Sequence, residues 1–208
     1  MYTTDKEAKA KIIEIGKRMY AKDFVAANDG NISCKVNDNE IWITPTGVSK
    51  GFMQEEMLIK MDLQGNVLAG ISKPSSEYRM HLRVYIENTE VGAVVHAHPP
   101  VATAFAIVGI ALDKPIYAES IAFLGTVPLA PYARQGTDEI PKSIAPYCKE
   151  YKALLLANHG ALAWGKDLTE AWYRMEALEH YALISMYTQN LGKANVLSKA
   201  EVDFLRGV

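Results

Sequence analysis

Ile32-Ser33-Cys34-Lys35-Val36, the turn formers Asn37-Asp38-Asn39, and Ile41-Trp42-Ile43-Thr44 read as two strands of an antiparallel hairpin. This stretch decides the fold class, because a doubly wound parallel sheet alternates strands with helices and does not join consecutive strands by so short a turn. Met57 to Met61 and Val67-Leu68-Ala69, linked across Leu63-Gln64-Gly65-Asn66, read as a second hairpin. Upstream, Ile12, Ile15, Met19 and Tyr20 fall at helical spacing between Asp5 and Phe24, with Lys11, Glu14, Lys17 and Arg18 on the opposite face.

Downstream, Ser75 and Ser76 stand where an N-cap belongs ahead of a helical run from Glu77 to Asn88, and Val91 to His98 is a buried strand. Pro99-Pro100 ends that strand and starts a helix through Ala106. Gly125 to Ala130 reads as a short strand, Thr137 caps a helix reaching about Lys149, and Tyr151 to Ala157 is another strand. Asp167 with Glu170 opens a long helix ending near Gly192, and Ser198 with Glu201 opens a last short one. The expectation is about seven strands and five or six helices in one domain over 1–208, without repeat or linker. Hairpins mixed with helices favour an α/β fold with a mixed, largely antiparallel central sheet flanked by helices, a three-layer α/β/α sandwich.

The 208 residues, 49% hydrophobic and 22% charged, suffice for a core that needs neither disulfides nor a structural metal, so any bound metal is expected to be functional. A net charge of -2 lacks the basic excess that nucleic acid demands of a partner. Cys34 and Cys148 lie outside any CxxC pattern, which fits packed thiols in a reducing compartment. Met1 to Lys22 has no apolar signal core and no stretch is apolar for the length of a bilayer, so a soluble, cytoplasmic protein without membrane association is expected.

Two of the five histidines occupy His96-Ala97-His98 at the end of an apolar strand. Strand residues two apart project to the same side, which brings both imidazoles within reach of one ion. His159 follows a second apolar strand in Asn158-His159-Gly160, where the glycine is expected to let the backbone turn sharply. If the two strands are neighbours, three imidazoles converge as in a catalytic zinc site that keeps a position for carboxylate, water or substrate; Mn²⁺, Fe²⁺ and Co²⁺ are the alternatives. His81 and His180, inside helical runs, read as structural or surface residues. Glu77 near a helix start is favoured by the helix dipole, and the preceding Ser75 and Ser76 suit an anion. Gly30-Asn31-Ile32-Ser33 and Thr44-Pro45-Thr46-Gly47 have similar character, while GxxxxGK[ST] and GxGxxG are absent.

Taken in order from roughly Ile12 to Leu197, Gly30-Asn31-Ile32-Ser33, Thr44-Pro45-Thr46-Gly47, Pro74-Ser75-Ser76-Glu77, Val95-His96-Ala97-His98, Ala130-Pro131-Tyr132-Ala133 and Asn158-His159-Gly160 resemble the class II aldolase/adducin family. Within it they resemble the zinc-dependent L-fuculose-1-phosphate aldolases, which cleave a ketose 1-phosphate reversibly to dihydroxyacetone phosphate and a small aldehyde. The resemblance implies that His96, His98 and His159 bind zinc, and that Glu77 is both a zinc neighbour and the catalytic acid/base. It also implies that Asn31, Thr46, Gly47, Ser75 and Ser76 hold the substrate phosphate, with Asn28 near them in place of the family's usual Thr. Tyr117 matches a tyrosine that handles the aldehyde oxygen's proton, and the family assembles as a homotetramer with active sites at subunit interfaces.

The sequence departs from that pattern at the aldehyde end. The family's aldolases can carry a tyrosine in a longer C-terminal tail, and no tyrosine follows Tyr187 here; Arg134 and Gln135 stand where an aromatic residue can occur, and Glu119 replaces a hydrophobe. If Glu119 and Gln135 face the pocket, they favour an aldehyde more polar than lactaldehyde. Ribulose-phosphate 4-epimerases of the superfamily usually have Asp where Glu77 stands, so Ser-Ser-Glu points to the aldolase branch. A sugar-phosphate dehydratase, decarboxylase or 4-epimerase of the same superfamily is the alternative, and an adducin-like non-enzymatic module is disfavoured by the intact histidines and Glu77.

Overall fold

A computed structural model describes residues 2–207; Met1 and Val208, the two ends of the expected 1–208 domain, lie outside them. Helix α1 (Asp5–Ala21) starts with a reciprocal capping box between Thr4 and Glu7 and buries Ile12, Ile15 and Met19 of the stripe expected from its spacing, whereas Tyr20, the fourth, is exposed. The strands are β1 (Asn31–Lys35), β2 (Glu40–Ile43), β3 (Ile59–Asp62), β4 (Val67–Ala69), β5 (Ala93–Ala97), β6 (Leu129–Ala130), β7 (Ala153–Leu156) and β8 (Gly160–Gly165). They form one sheet in the order β4-β3-β2-β1-β5-β8-β7-β6, antiparallel throughout except for the parallel β6–β7 edge.

The remaining helices are α2 (Tyr78–Glu87), α3 (Pro100–Ile107), α4 (Ala118–Phe123), α5 (Glu139–Ile144), α6 (Leu168–Leu191) and α7 (Lys199–Arg206). Period-two alternation along β5 sends Val95 and Ala97 into a core with α1, α3 and α6, where Phe105, Trp172 and Met175 are buried. Val94 faces the other side, joining Ile41, Ile43, Leu162 and Trp164 against Met80, Val84 and Tyr85 of α2 and Ile140 and Ile144 of α5. Helices thus cover both faces of a largely antiparallel sheet, the three-layer arrangement anticipated from the hairpins. Among the described residues no helix is long and apolar enough to cross a membrane.

The structure corrects several details. Gly160–Gly165 is a strand that the sequence reading left out, and it inserts between β5 and β7. The segment from Gly125 is a strand only over Leu129–Ala130, with Val127 bridging Leu112 in isolation. Helix α5 stops at Ile144 and continues as a 3₁₀ turn, Ala145–Tyr147, because Pro146 lacks the N–H that a continuing α-helix would use. Helix α4 was not anticipated, and α2 begins one residue later than expected, leaving Glu77 at the N-cap.

Candidate metal centre and substrate cleft

His96, buried within β5, faces the α2 side of the sheet with Val94, and its cross-strand partners are Asn31 on β1 and Leu162 on β8. Its Nδ1–H donates to the Ala161 carbonyl at 2.9 Å, which turns the Nε2 lone pair inward. His98, just past the strand end, has its Nδ1 3.3 Å from Asp29 Oδ2, and its Nε2 meets the Nε2 of His96 at 3.2 Å. His159 joins them, so that one nitrogen from each ring lies within 4.8 Å of the others.

The convergence does not arise because β5 and β7 are neighbours; β8 separates them. The β7–β8 hairpin closes at Leu156–Gly160, and His159 in its turn is carried back beside the end of β5, where Ala97 pairs with Ala161. The left-handed residue of this turn is Asn158, with φ of 55°, rather than Gly160. Gly160 serves a different need: a Cβ there would meet His98 Cδ2 at 2.5 Å and the Ala97 carbonyl at 2.7 Å.

Glu77 stands over this cluster, with Oε2 3.2 Å from His96 Nε2 and Oε1 3.2 Å from His159 Nε2. Oε1 is buried and makes no hydrogen bond, although an imidazole nitrogen lies so near. Electron-rich atoms facing one another at such distances, one of them an orphan, fit a divalent cation between them. Burial pushes the Glu77 carboxyl up, but His96, His159 and the Asn31 amide outweigh it and hold the group well below the usual carboxylate range. Burial and the neighbouring His96 depress His159 to about 3, and the same two causes lower His98, so both imidazoles are neutral near pH 7, the form that can donate a lone pair to a cation. Burial opposes protonation of His96 as well, yet the adjacent Glu77 carboxylate raises it.

The cluster opens onto a cleft lined by Asn28, Asp29, Gly30, Asn31, Pro45, Thr46, Lys50, Ser75, Ser76, Glu77, His98, Gln135 and His159. The structure thereby brings together Asn28, Asn31, Thr46, Ser75 and Ser76 with Glu77 and the histidines. Gly47 adjoins Thr46 with φ of 72° but does not line the cleft. Gln135 faces the cleft, whereas Glu119 is exposed on α4 and does not. Tyr117 also stays outside; its ring packs edge-on against His180 at 5.9 Å between centroids.

Two residues escape the sequence reading. Lys50 is 1% exposed, and its Nζ donates to the carbonyls of Asn28 at 2.8 Å and Val48 at 2.6 Å, tying two walls of the cleft together. Burial lowers its pKa to about 8. A lysine after a Gly-containing loop ordinarily reads as a solvated side chain, so no sequence signal marks it. His81 is completely buried and joined to Asn31, and its position at i+4 from Glu77 on the helix was the available clue.

Residues 10–186 match the family described as Class II Aldolase and Adducin N-terminal domain. An L-fuculose phosphate aldolase of Methanococcus maripaludis is 35% identical over 187 residues, covering 88% of this chain and 98% of that protein. A 3-oxo-tetronate 4-phosphate decarboxylase of Haemophilus influenzae is 33% identical over 204 residues, covering 96% of each. Among solved structures, YgbL of Klebsiella pneumoniae superposes with a TM-score of 0.92 at 32% identity, covering 98% of this chain and 100% of that one. An L-fuculose 1-phosphate aldolase superposes with a TM-score of 0.91 at 32% identity, covering 99% and 97%. The three-layer fold, the histidine cluster and the matches over nearly the whole chain agree: this protein belongs to the class II aldolase and adducin family, in its enzymatic branch.

Proposed function

We propose that this enzyme is a zinc-dependent aldolase that cleaves an L-fuculose-1-phosphate-like ketose 1-phosphate to dihydroxyacetone phosphate and a small aldehyde. The observation that carries this reading is one cleft that combines two chemically different sets of groups. The histidine nitrogens and the Glu77 carboxylate share the cleft with the amides and hydroxyls of Asn28, Asn31, Thr46, Ser75 and Ser76. Such a nitrogen-rich donor set suits Zn²⁺ ahead of Mn²⁺, Fe²⁺ or Co²⁺.

His96, His98 and His159, with Glu77 beside them, would hold a divalent cation, which would supply Lewis-acid stabilisation of the charge that develops on the substrate. The phosphate-binding groups, with Gly47 leaving space beside Thr46, would fix the substrate with its reacting carbons beside the histidines, which lowers the entropic cost of the step. Carbon–carbon cleavage leaves an electron pair on the carbon next to the carbonyl. In the synthetic direction the Glu77 carboxylate, its Oε1 free of any hydrogen bond, removes a proton from that carbon; in cleavage the carboxyl, having taken a proton from solvent, returns it there. In a homotetramer with sites at subunit interfaces, Tyr117, which does not line its own cleft, would serve the aldehyde oxygen in a neighbour's. The buried free thiols Cys34 and Cys148 favour a reducing cytoplasm as the setting.

A second reading, decarboxylation of a 3-oxo-tetronate 4-phosphate, is favoured by the relative that spans 96% of this chain and by polar Gln135 in the cleft. The two reactions share their core. Loss of an aldehyde from the ketose 1-phosphate, or of carbon dioxide from the 3-oxo acid, leaves the electron pair on the same carbon of the same three-carbon phosphate. Incubating the zinc-loaded enzyme with each substrate separates them. The aldolase reading expects dihydroxyacetone phosphate from L-fuculose 1-phosphate; formation only from the oxo acid, with carbon dioxide, replaces it by the decarboxylase, and no product from either rejects both.

A further inference from the structure

Behind the cleft a chain of buried side chains runs from the helix α2 into the site. Asn31 and Ser33 are two apart on β1 and point to the α2 side, while His81 and Tyr85 are four apart on α2 and point back at them. All four are at most 2% exposed. Ser33 Oγ lies 2.7 Å from the Tyr85 hydroxyl and 2.7 Å from His81 Nδ1, His81 Nε2 meets Asn31 Oδ1, and Asn31 Nδ2 donates to Glu77 Oε2 at 2.9 Å.

Only one arrangement of protons satisfies every contact. A carboxylate accepts and never donates, so the amino edge of Asn31 must face Glu77 and its carbonyl edge must face His81. The carbonyl needs a donor, which makes Nε2 the protonated nitrogen of His81. Burial keeps that imidazole neutral, with a pKa lowered to about 3, so Nδ1 is the acceptor and takes the Ser33 hydroxyl proton. Ser33 in turn accepts from Tyr85. The opposite tautomer would rotate the Asn31 amide and set its carbonyl oxygen against the Glu77 carboxylate, two negative groups in contact away from water.

We propose that His81 is a positioning residue: held in its Nε2–H tautomer by Ser33 and Tyr85, it locks the Asn31 amide with both Nδ2 hydrogens available to anions, one for Glu77 and one for the phosphate of the ligand. The phosphate half of this statement rests on the phosphate reading of the cleft given above; the tautomer half does not. The hydrogen bonds of this relay reach the histidine cluster through Glu77.

Two measurements on the full-length protein test it. Long-range proton–nitrogen NMR spectra of ¹⁵N-histidine-labelled protein, with the His81 signals identified by their loss in His81→Gln, are expected to show the Nε2–H form. An Nδ1–H form, or a mixture of both, overturns the proposal without reference to any activity. Inorganic phosphate binding supplies the second readout. His81→Leu is expected to weaken phosphate about tenfold, the scale of one hydrogen bond to a charged group, while His81→Gln, whose amide can donate to Asn31 and accept from Ser33, stays within about threefold of wild type. Unchanged binding in His81→Leu overturns the positioning role, and equal losses in Leu and Gln variants reduce it to packing. Should His81→Leu not fold, Ser33→Ala frees the imidazole from the other side and is expected to produce the tautomer mixture. A wild-type protein that ignores phosphate rejects the phosphate reading of the cleft, and the NMR result still decides the tautomer.

Discussion

Glu77 combines two properties that a group moving protons beside a cation needs: one oxygen is fixed by Asn31 and the other is left without a hydrogen bond. Replacing it with Gln preserves shape and removes the acceptor charge. The expected result is a rate lower by about 10² to 10⁴, the usual worth of a general base, with an unchanged circular dichroism spectrum and melting temperature. A near-normal rate would remove Glu77 from its assigned role. His159→Ala leaves the donor set one nitrogen short, and equilibrium dialysis is expected to show loss of stoichiometric zinc; full occupancy would mean the ion sits elsewhere. The histidines are legible in the sequence because the HxH spacing and strand alternation dictate a shared side. Lys50 and His81 are not, since their value comes from burial and from partners distant in the chain.

The element that organises the site is the β7–β8 hairpin, and half of it escapes the sequence reading. Gly160-Ala161-Leu162-Ala163-Trp164-Gly165 is buried along its whole length between β5 and β7, so it shows no alternation of polar and apolar residues. With small residues and glycine at both ends it reads as the continuation of a loop. Its packing explains them: Gly160 lies against His98 and Gly165 against the start of α6, where a Cβ would meet Ala171 N at 2.8 Å. Gly160→Ala must therefore push His98 out of the cluster. The expectation is a loss of about 1–3 kcal/mol in stability, as for other overpacked sites, accompanied by weaker zinc binding. Chemical denaturation and metal titration of the same sample check both, and tight zinc with wild-type stability would contradict the role given to this strand. By contrast, the β1–β2 hairpin and α1 carry turn formers and clean periodicity, and both appear within a few residues of their reading, save that Tyr20 of the apolar face of α1 is exposed.

At the scale of the fold, burying neutral histidines under a sheet makes stability depend on pH. His81 titrates near 6.5 when unfolded and about 3 when folded, so between those values the unfolded chain binds a proton that the native protein refuses. Stability therefore falls as pH drops below about 6.5, by up to ~1 kcal/mol per pH unit for this group. In metal-free protein, His81→Gln is expected to flatten that slope relative to wild type in melting curves taken from pH 7 to 4; parallel curves would place the imidazole charge elsewhere. The three-layer architecture follows from two readable hairpins, whereas the sheet order does not, because the insertion of β8 is decided by packing rather than by any local signal.

Both cleavage reactions proposed for this cleft end by protonating the same carbon of dihydroxyacetone phosphate, and the reverse of that step, removal of the proton, would require only a cation at the histidine cluster, Glu77 and the phosphate-binding groups. The measurement to make is hydrogen exchange at the hydroxymethyl carbon of dihydroxyacetone phosphate in deuterated water, with zinc-loaded enzyme and no aldehyde, followed by NMR. Exchange of one of the two hydrogens, abolished in Glu77→Gln, is the predicted result. No exchange in wild-type protein with zinc verified as bound would contradict it.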